Sequence, residues 1–154
     1  MITETPLDPR AIIVVEDSDE DYETILWIFK KLAVTHPVIR CEDGEELLHY
    51  LSQQSKRTER DEILLPGLIM LDLNLPGIDG RQILQRIKAN ERFKVVPVVV
   101  LTTTSNPKDI KTCYQNGANS YILKPVDLEK FVRTMQRLLD YWFEVSLLPD
   151  IRIA

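Results

Sequence analysis

The chain has 154 residues, with 19 Lys+Arg against 24 Asp+Glu for a net charge of −5, and is 44% hydrophobic and 28% charged. That is one ordinary globular domain with a usable core, and its acidic balance offers no electrostatic footing for nucleic acid. No apolar run approaches the ~18 residues of a membrane helix, residues 1–10 carry no basic-then-apolar signal, and Cys41 and Cys113 alone make neither a disulfide framework nor a zinc site. A cytoplasmic protein without a membrane or nucleic-acid partner is therefore expected.

An N-terminal arm, residues 1–10, precedes the first strand-like run at 11–16, where Ile12-Ile13-Val14-Val15 suits a strand buried on both faces. A helical segment follows at 20–32, with Ile25, Ile28, Phe29 and Leu32 on one face and Trp27 projecting nearly opposite. Residues 37–41 read as a second strand and 44–54 as a helix. A long charged connection, 53–66, leads to a third strand at 68–73. Then come a helix at 81–90, a strand at 97–102 built on Val98-Val99-Val100-Leu101, and a helix at 107–116. Pro107 after Asn106 marks that helix's first turn, and Gly117 its stop. The fifth strand, 120–123, leads into a closing helix at 127–144, where Leu128, Phe131, Val132, Met135, Leu138, Leu139 and Trp142 share one stripe. Strands alternating with helices imply right-handed βαβ units. The expected fold is an α/β flavodoxin-like (βα)5 three-layer sandwich with a five-stranded parallel sheet, order 2-1-3-4-5.

Open α/β sheets place their sites beyond the carboxyl ends of the strands. The first strand ends in Glu16-Asp17, the third in Asp72, the fourth in Thr102-Thr103-Thr104, and the fifth in Lys124-Pro125. With strands one and three adjacent, Glu16, Asp17 and Asp72 converge, and a hard cation with oxygen ligands, Mg2+, relieves their repulsion. Singly, each group has a plain explanation; the acidic run 16–21, for example, suits the positive end of a helix. Together, metal-binding acids, an isolated Asp nucleophile, a hydroxyl and a lysine are the parts of a phosphoryl-transfer site.

In these residues the sequence resembles the receiver domain of two-component response regulators. The pattern is the acidic pair Glu16-Asp17, Asp72-Leu73-Asn74-Leu75-Pro76-Gly77-Ile78-Asp79-Gly80, Thr102, and Lys124-Pro125. The resemblance implies that Asp72 accepts a phosphoryl group from a histidine kinase. Asp17, Asp72 and the Asn74 carbonyl would ligate Mg2+, with Glu16 acting through water. Lys124 would pair with the phosphoryl oxygens, aimed by a cis bond before Pro125. Thr102 and Tyr121 would be the switch pair, while Asn74, Thr103 and Thr104 would tune the lifetime of the phosphoryl group. Such a protein is no enzyme beyond its own phosphotransfer and autodephosphorylation.

The receiver is expected to span 11–145, with a tail at 146–154 and no room for an output domain, so output would be protein–protein contact. The connection 53–66 and the ending resemble response regulators that partner phytochrome histidine kinases. Successive helical residues are ~100° apart, so Tyr141, Trp142 and Phe143 cannot all face one core. With Val145, Leu147 and Leu148 they suggest an interface, and a homodimer through the last helix and tail is expected. Trp27 is a second candidate contact. His36 and His49 are given no role, and both cysteines are read as core residues. Two other classes stay open: a haloacid-dehalogenase-like phosphotransfer enzyme, which would carry its nucleophile on the first strand, and a flavin or nucleotide binder, which would need a Gly/Ser/Thr-rich loop there. A receiver serving a non-phytochrome kinase, as a phosphate sink or chemotaxis-type regulator, is the alternative within the family.

Overall fold

The computed structural model describes residues 10–55, 63–149 and 152–153. Most of the arm (1–9), the middle of the charged connection (56–62) and residues 150, 151 and 154 of the tail lie outside the described residues. The order is β1 (Ile12–Val15), α1 (Asp19–Lys31), β2 (Val38–Cys41), α2 (Gly44–Ser55), β3 (Ile63–Leu64), β4 (Leu68–Leu71), α3 (Gly80–Ala89), β5 (Val98–Thr102), α4 (Pro107–Gln115), β6 (Ser120–Leu123) and α5 (Leu128–Asp140). A π-helical turn, Tyr141–Val145, continues α5, and a short β7 (Arg152–Ile153) ends the described chain.

The five main strands form one parallel sheet, β2-β1-β4-β5-β6, which is the expected 2-1-3-4-5 order once the short β3 is set aside. Every residue of β1, β4 and β5 is buried, because alternate side chains enter the cores on opposite faces. Ile13 and Val15 join α2 and α3 through Leu47, Leu51, Ile83, Leu84 and Ile87. Ile12 and Val14 join α1 and α5 through Ile25, Ile28, Phe131, Met135 and Leu138.

Local chemistry sets where the helices begin. Ser18, Asp79, Asn106 and Asp127 each accept a backbone N–H at a helix start, satisfying a donor that the helix leaves free. Pro107 opens α4 and Gly117, at φ +97°, follows its end, as the sequence predicts. At the pole opposite the strands' carboxyl ends, Lys88 donates to the carbonyls of Lys94 (3.1 Å) and Val96 (2.7 Å) and to Asn119 Oδ1 (3.1 Å). Burial lowers its pKa.

The C-terminal region departs from expectation. The α-helix stops at Asp140, and the Ser146 N–H donates to the Tyr141 carbonyl five residues back (2.7 Å). That wider turn lets both Trp142 and Phe143 pack against the α1/α5 core, although they are adjacent. Phe143 stacks on His36 at 3.9 Å and covers Gly67, where an added Cβ would lie 2.7 Å from its ring. Both aromatics are thus half-buried in their own domain, and only Tyr141, Val145 and Leu147 are exposed as the interface reading requires. The charged connection and the C-terminal tail also meet, since β3 pairs antiparallel with β7, Ile63 opposite Ile153. A pairing of two-residue strands across that separation leaves no periodic signal in the sequence.

Candidate functional site

Parallel pairing of β1 with β4 in register, Val15 opposite Leu71, puts the next residues of both strands side by side at the carboxyl edge. Glu16 and Asp72 are both buried there, while Asp17 stands exposed at the mouth. One oxygen from each of Glu16, Asp17 and Asp72 lies within 4.8 Å of the others. The sequence-predicted acidic cluster is therefore assembled.

Asp72 is held through both its main chain and its side chain. Its N–H donates to the Val15 carbonyl (3.2 Å), and its Oδ1 accepts from the Asn74 N–H (3.1 Å). A Cβ on Gly80 would come 2.5 Å from the Asp72 carbonyl and 2.7 Å from Leu73 Cα. Only glycine allows that approach, which gives the Asp79-Gly80 pair its physical reason: Asp79 caps α3 and Gly80 lets the capped helix abut the chain at Asp72 and Leu73.

Lys124 comes from the end of β6, across β5. Its N–H donates to the Thr102 carbonyl (2.8 Å), and its ammonium contacts Glu16 Oε1, Asp72 Oδ2 (3.1 Å) and Asp21 Oδ2 (3.2 Å). Burial alone would lower its pKa, but the hydrogen bond it donates to Glu16 and the charges of Asp72 and Glu16 raise it, so it stays charged. Burial pushes the Glu16 carboxyl up to about 7, against the pull of Lys124 and with the help of Asp72.

The expected cis bond before Pro125 is not found: among the described residues every peptide is trans. Trans is the intrinsically preferred form of an X–Pro bond by ~0.5–1 kcal/mol, and Lys124 reaches both buried carboxylates with it.

Thr102 closes β5, fully buried, with no hydrogen-bond partner for its hydroxyl. A buried hydroxyl left unpaired costs ~1–3 kcal/mol, so the site holds an unused donor beside the acids. Tyr121 on β6 donates from its hydroxyl to the Thr104 carbonyl (2.6 Å), and the Asn74 side-chain amide donates to Thr104 Oγ1 at 3.5 Å. Arg81 bridges Asp79 (3.0 Å) and Asp109 (2.9 Å), tying the start of α3 to the first turn of α4. Thr103 is exposed at the mouth, and Trp27 is exposed on α1 with the Lys31 ammonium 5.2 Å from its ring.

Two groups at the site escape sequence reading. Asp21 reads there as one more acid in the run 16–21, yet one helical turn brings it to Lys124. Arg40, on the edge strand β2, belongs to no motif in the sequence, yet it reaches the loop that carries Glu16 and Asp17. Neither partner is near enough in sequence, or periodic enough, to signal the contact.

A buried acid pair, a third acid at the mouth, a fixed ammonium and a free hydroxyl suit transfer of an anionic group assisted by a hard divalent cation. Residues 12–136 match the model of the response regulator receiver domain, and the chain belongs to that family. It is similar to the probable methanogenesis regulatory protein FilR2 of Methanothrix harundinacea, 37% identical over 135 residues that cover 88% of this chain and 84% of that protein. It is equally similar to response regulator Rcp1 of Synechocystis, 37% identical over 141 residues, 92% of this chain and 94% of that protein.

Among solved structures, the phosphorylated cyanobacterial phytochrome response regulator RcpA superposes with a TM-score of 0.81 at 35% identity, covering 92% of this chain and 99% of that one. The Mn2+-bound form of Rcp1 gives 0.80 at 36%, covering 92% and 100%. With that membership and Asp72 at the end of β4, the third strand of the main sheet, the dehalogenase and flavin readings fall away. No helix among the described residues is long and apolar enough to cross a membrane.

Among the described residues, Lys124 is the cation whose ammonium contacts both buried acids. Replacing it with Met should cost the metal-free protein about 3 kcal/mol at pH 7, the usual scale for orphaning a buried charge. The sign with pH follows from the carboxyls. A carboxyl whose folded value lies above its unfolded one favours the folded state at low pH and loses that contribution as pH rises towards 7. The deficit of Lys124→Met should therefore shrink as pH falls through about 7 and Glu16 takes up its proton, and urea unfolding at several pH values without divalent cations measures it.

Proposed function

We propose that this protein is a phosphorylation-activated signalling switch in which Asp72 takes the phosphoryl group of a histidine kinase's phosphohistidine. The observation that carries the reading is the buried Asp72 carboxylate held between Lys124 and the Asn74 N–H, at 3.1 Å from each. In the transfer a carboxylate oxygen forms a bond to phosphorus while the phosphorus–nitrogen bond breaks, and the electron pair leaves with the imidazole. Lys124 is placed to take up the equatorial charge, and Thr102 supplies the hydroxyl that has no partner before phosphorylation.

Asp17, Asp72 and the Asn74 carbonyl would hold Mg2+, with Glu16 behind them through water; the cation supplies charge neutralisation. The fit rests on the three clustered carboxylates and the orphaned Thr102 hydroxyl, and the similar Rcp1 carries Mn2+. Magnesium suits a site offering few carboxylates and leaving positions for phosphate oxygens and water. Activation would then pass through Thr102 and Tyr121 to protein–protein contacts of the receiver, residues 11–145, with the arm and tail at its ends.

A phytochrome kinase is the proposed phosphodonor, supported by the likeness to RcpA and Rcp1. A kinase of another sensor class is the second reading, supported by the equal likeness to FilR2. Cytoplasmic placement accords with either. We further propose a homodimer through α5, the π-helical turn and the tail, supported by the exposed Tyr141, Val145 and Leu147.

Incubation with acetyl phosphate and Mg2+ should label the wild type and leave Asp72→Asn unlabelled; label retained on Asp72→Asn refutes the acceptor assignment. Thr104 has no amide to orient an attacking water, so Thr104→Gln should shorten the aspartyl-phosphate half-life several-fold in a chase after donor removal. An unchanged or longer half-life removes Thr104 from that role. Multi-angle light scattering at micromolar concentration should give the mass of two chains, and a monomer rules the dimer out.

A further inference from the structure

The loop between β1 and α1 has to send Glu16 inward and Asp17 to the mouth within three residues. Its own anchors are few. The Glu16 N–H donates to the Cys41 carbonyl (3.0 Å), the Ser18 N–H reaches Glu16 Oε2 only at 3.5 Å, and the Asp17 carboxylate has no hydrogen bond or ion pair among the described residues. The Ser18 carbonyl accepts from the Tyr22 N–H (3.0 Å), and the carbonyls of Glu16 and Asp17 are both taken by one side chain on the neighbouring strand. Arg40 donates from Nε to the Glu16 carbonyl (3.2 Å) and from Nη2 to the Asp17 carbonyl (3.4 Å). Its Nη1 pairs with Asp19 Oδ1 at 2.8 Å, in the first turn of α1, and its guanidinium lies 4.7 Å from the centre of the Tyr22 ring.

We propose that Arg40 is a positioning residue of the metal site, holding the Glu16-Asp17 segment from behind so that its carboxylates face the cation. The inference rests on the metal reading given above. Fixing two successive carbonyls fixes both peptide planes, and with them the opposite directions of the two side chains. Two nitrogens of one planar fork do this while the third pairs with Asp19. A lysine ammonium is a compact point charge on a flexible stem and cannot span the same acceptors. The Arg40 side chain is half-buried between Tyr22 and the loop, which limits its freedom.

Charge and positioning make opposite predictions here. Arg40 is a cation near a cation site, so on charge alone its removal would tighten metal binding. If it holds the loop, its removal weakens binding, on the scale of ~10–100-fold seen for groups that orient metal ligands without touching the metal. The test is titration of Mn2+ followed by the free-ion electron paramagnetic resonance signal, with Mg2+ as competitor. Wild type, Arg40→Met, Arg40→Lys and Arg40→Ala are compared after circular dichroism has shown each to be folded.

The wild type should bind, and a wild type that does not bind overturns the metal reading itself. Arg40→Met should bind at least about tenfold more weakly, and Arg40→Lys, which keeps the charge, should be impaired as well. Millimolar guanidinium should restore affinity to Arg40→Ala, where methylammonium should not. Should Arg40→Met fail to fold, the comparison of Arg40→Lys with the rescued Arg40→Ala decides. Affinity equal to or tighter than wild type in Arg40→Met or Arg40→Lys overturns the proposal, as does rescue by methylammonium.

Discussion

Negative charge gathered at one edge of a buried parallel sheet is the constraint around which this protein is organised. Three carboxyl groups with oxygens within 4.8 Å repel one another, when ionised, by roughly 3 kcal/mol per pair at an effective dielectric near 20. Two of them are buried, so water cannot relieve them. The fold meets this with one lysine delivered from two strands away, whose ammonium touches both buried acids. The arrangement holds at rest and is open to exchange, since a divalent cation or a phosphoryl dianion changes which partner each group prefers.

The mechanical side follows from the same edge. Asp72 is clamped by its own strand, by Asn74 and by the close approach of Gly80. From that clamp two links run to the β5–α4 region. One is the Asn74 contact to Thr104, itself held by the Tyr121 hydroxyl. The other is Arg81, which spans Asp79 and Asp109. The end of β4, the α3 start and the α4 start therefore share polar contacts at exposed or partly buried positions.

Much of this was legible in the sequence because the physics behind it is local. Continuous β-branched runs demanded strands buried on both faces, and the order of elements left few topologies. Given that topology, Glu16, Asp17, Asp72, Thr102 and Lys124 had to converge. What could not be read was long-range and aperiodic. Arg40 grips a loop more than twenty residues earlier, Asp21 meets a lysine on the far side of the sheet, and β3 finds β7. The geometry of the last aromatic segment was also hidden, because the argument from ~100° per residue assumes an α-helix where the chain makes a wider turn. The Lys124–Pro125 bond was expected cis by family likeness and is trans.

Lys88 and Lys124 sit at opposite poles of the sheet, each with its ammonium satisfied by three oxygens. Those of Lys88 are two carbonyls and an amide, neutral dipoles fixed in the scaffold. Those of Lys124 are carboxylates. A cation held by dipoles has no partner that another cation can draw off and few reasons to accept a new anion. A cation held by anions is part of an ion-exchange equilibrium: draw its carboxylates towards a metal and it becomes free to hold something else. The same side chain thus acts as a rivet at one end of the molecule and as a currency of charge at the other.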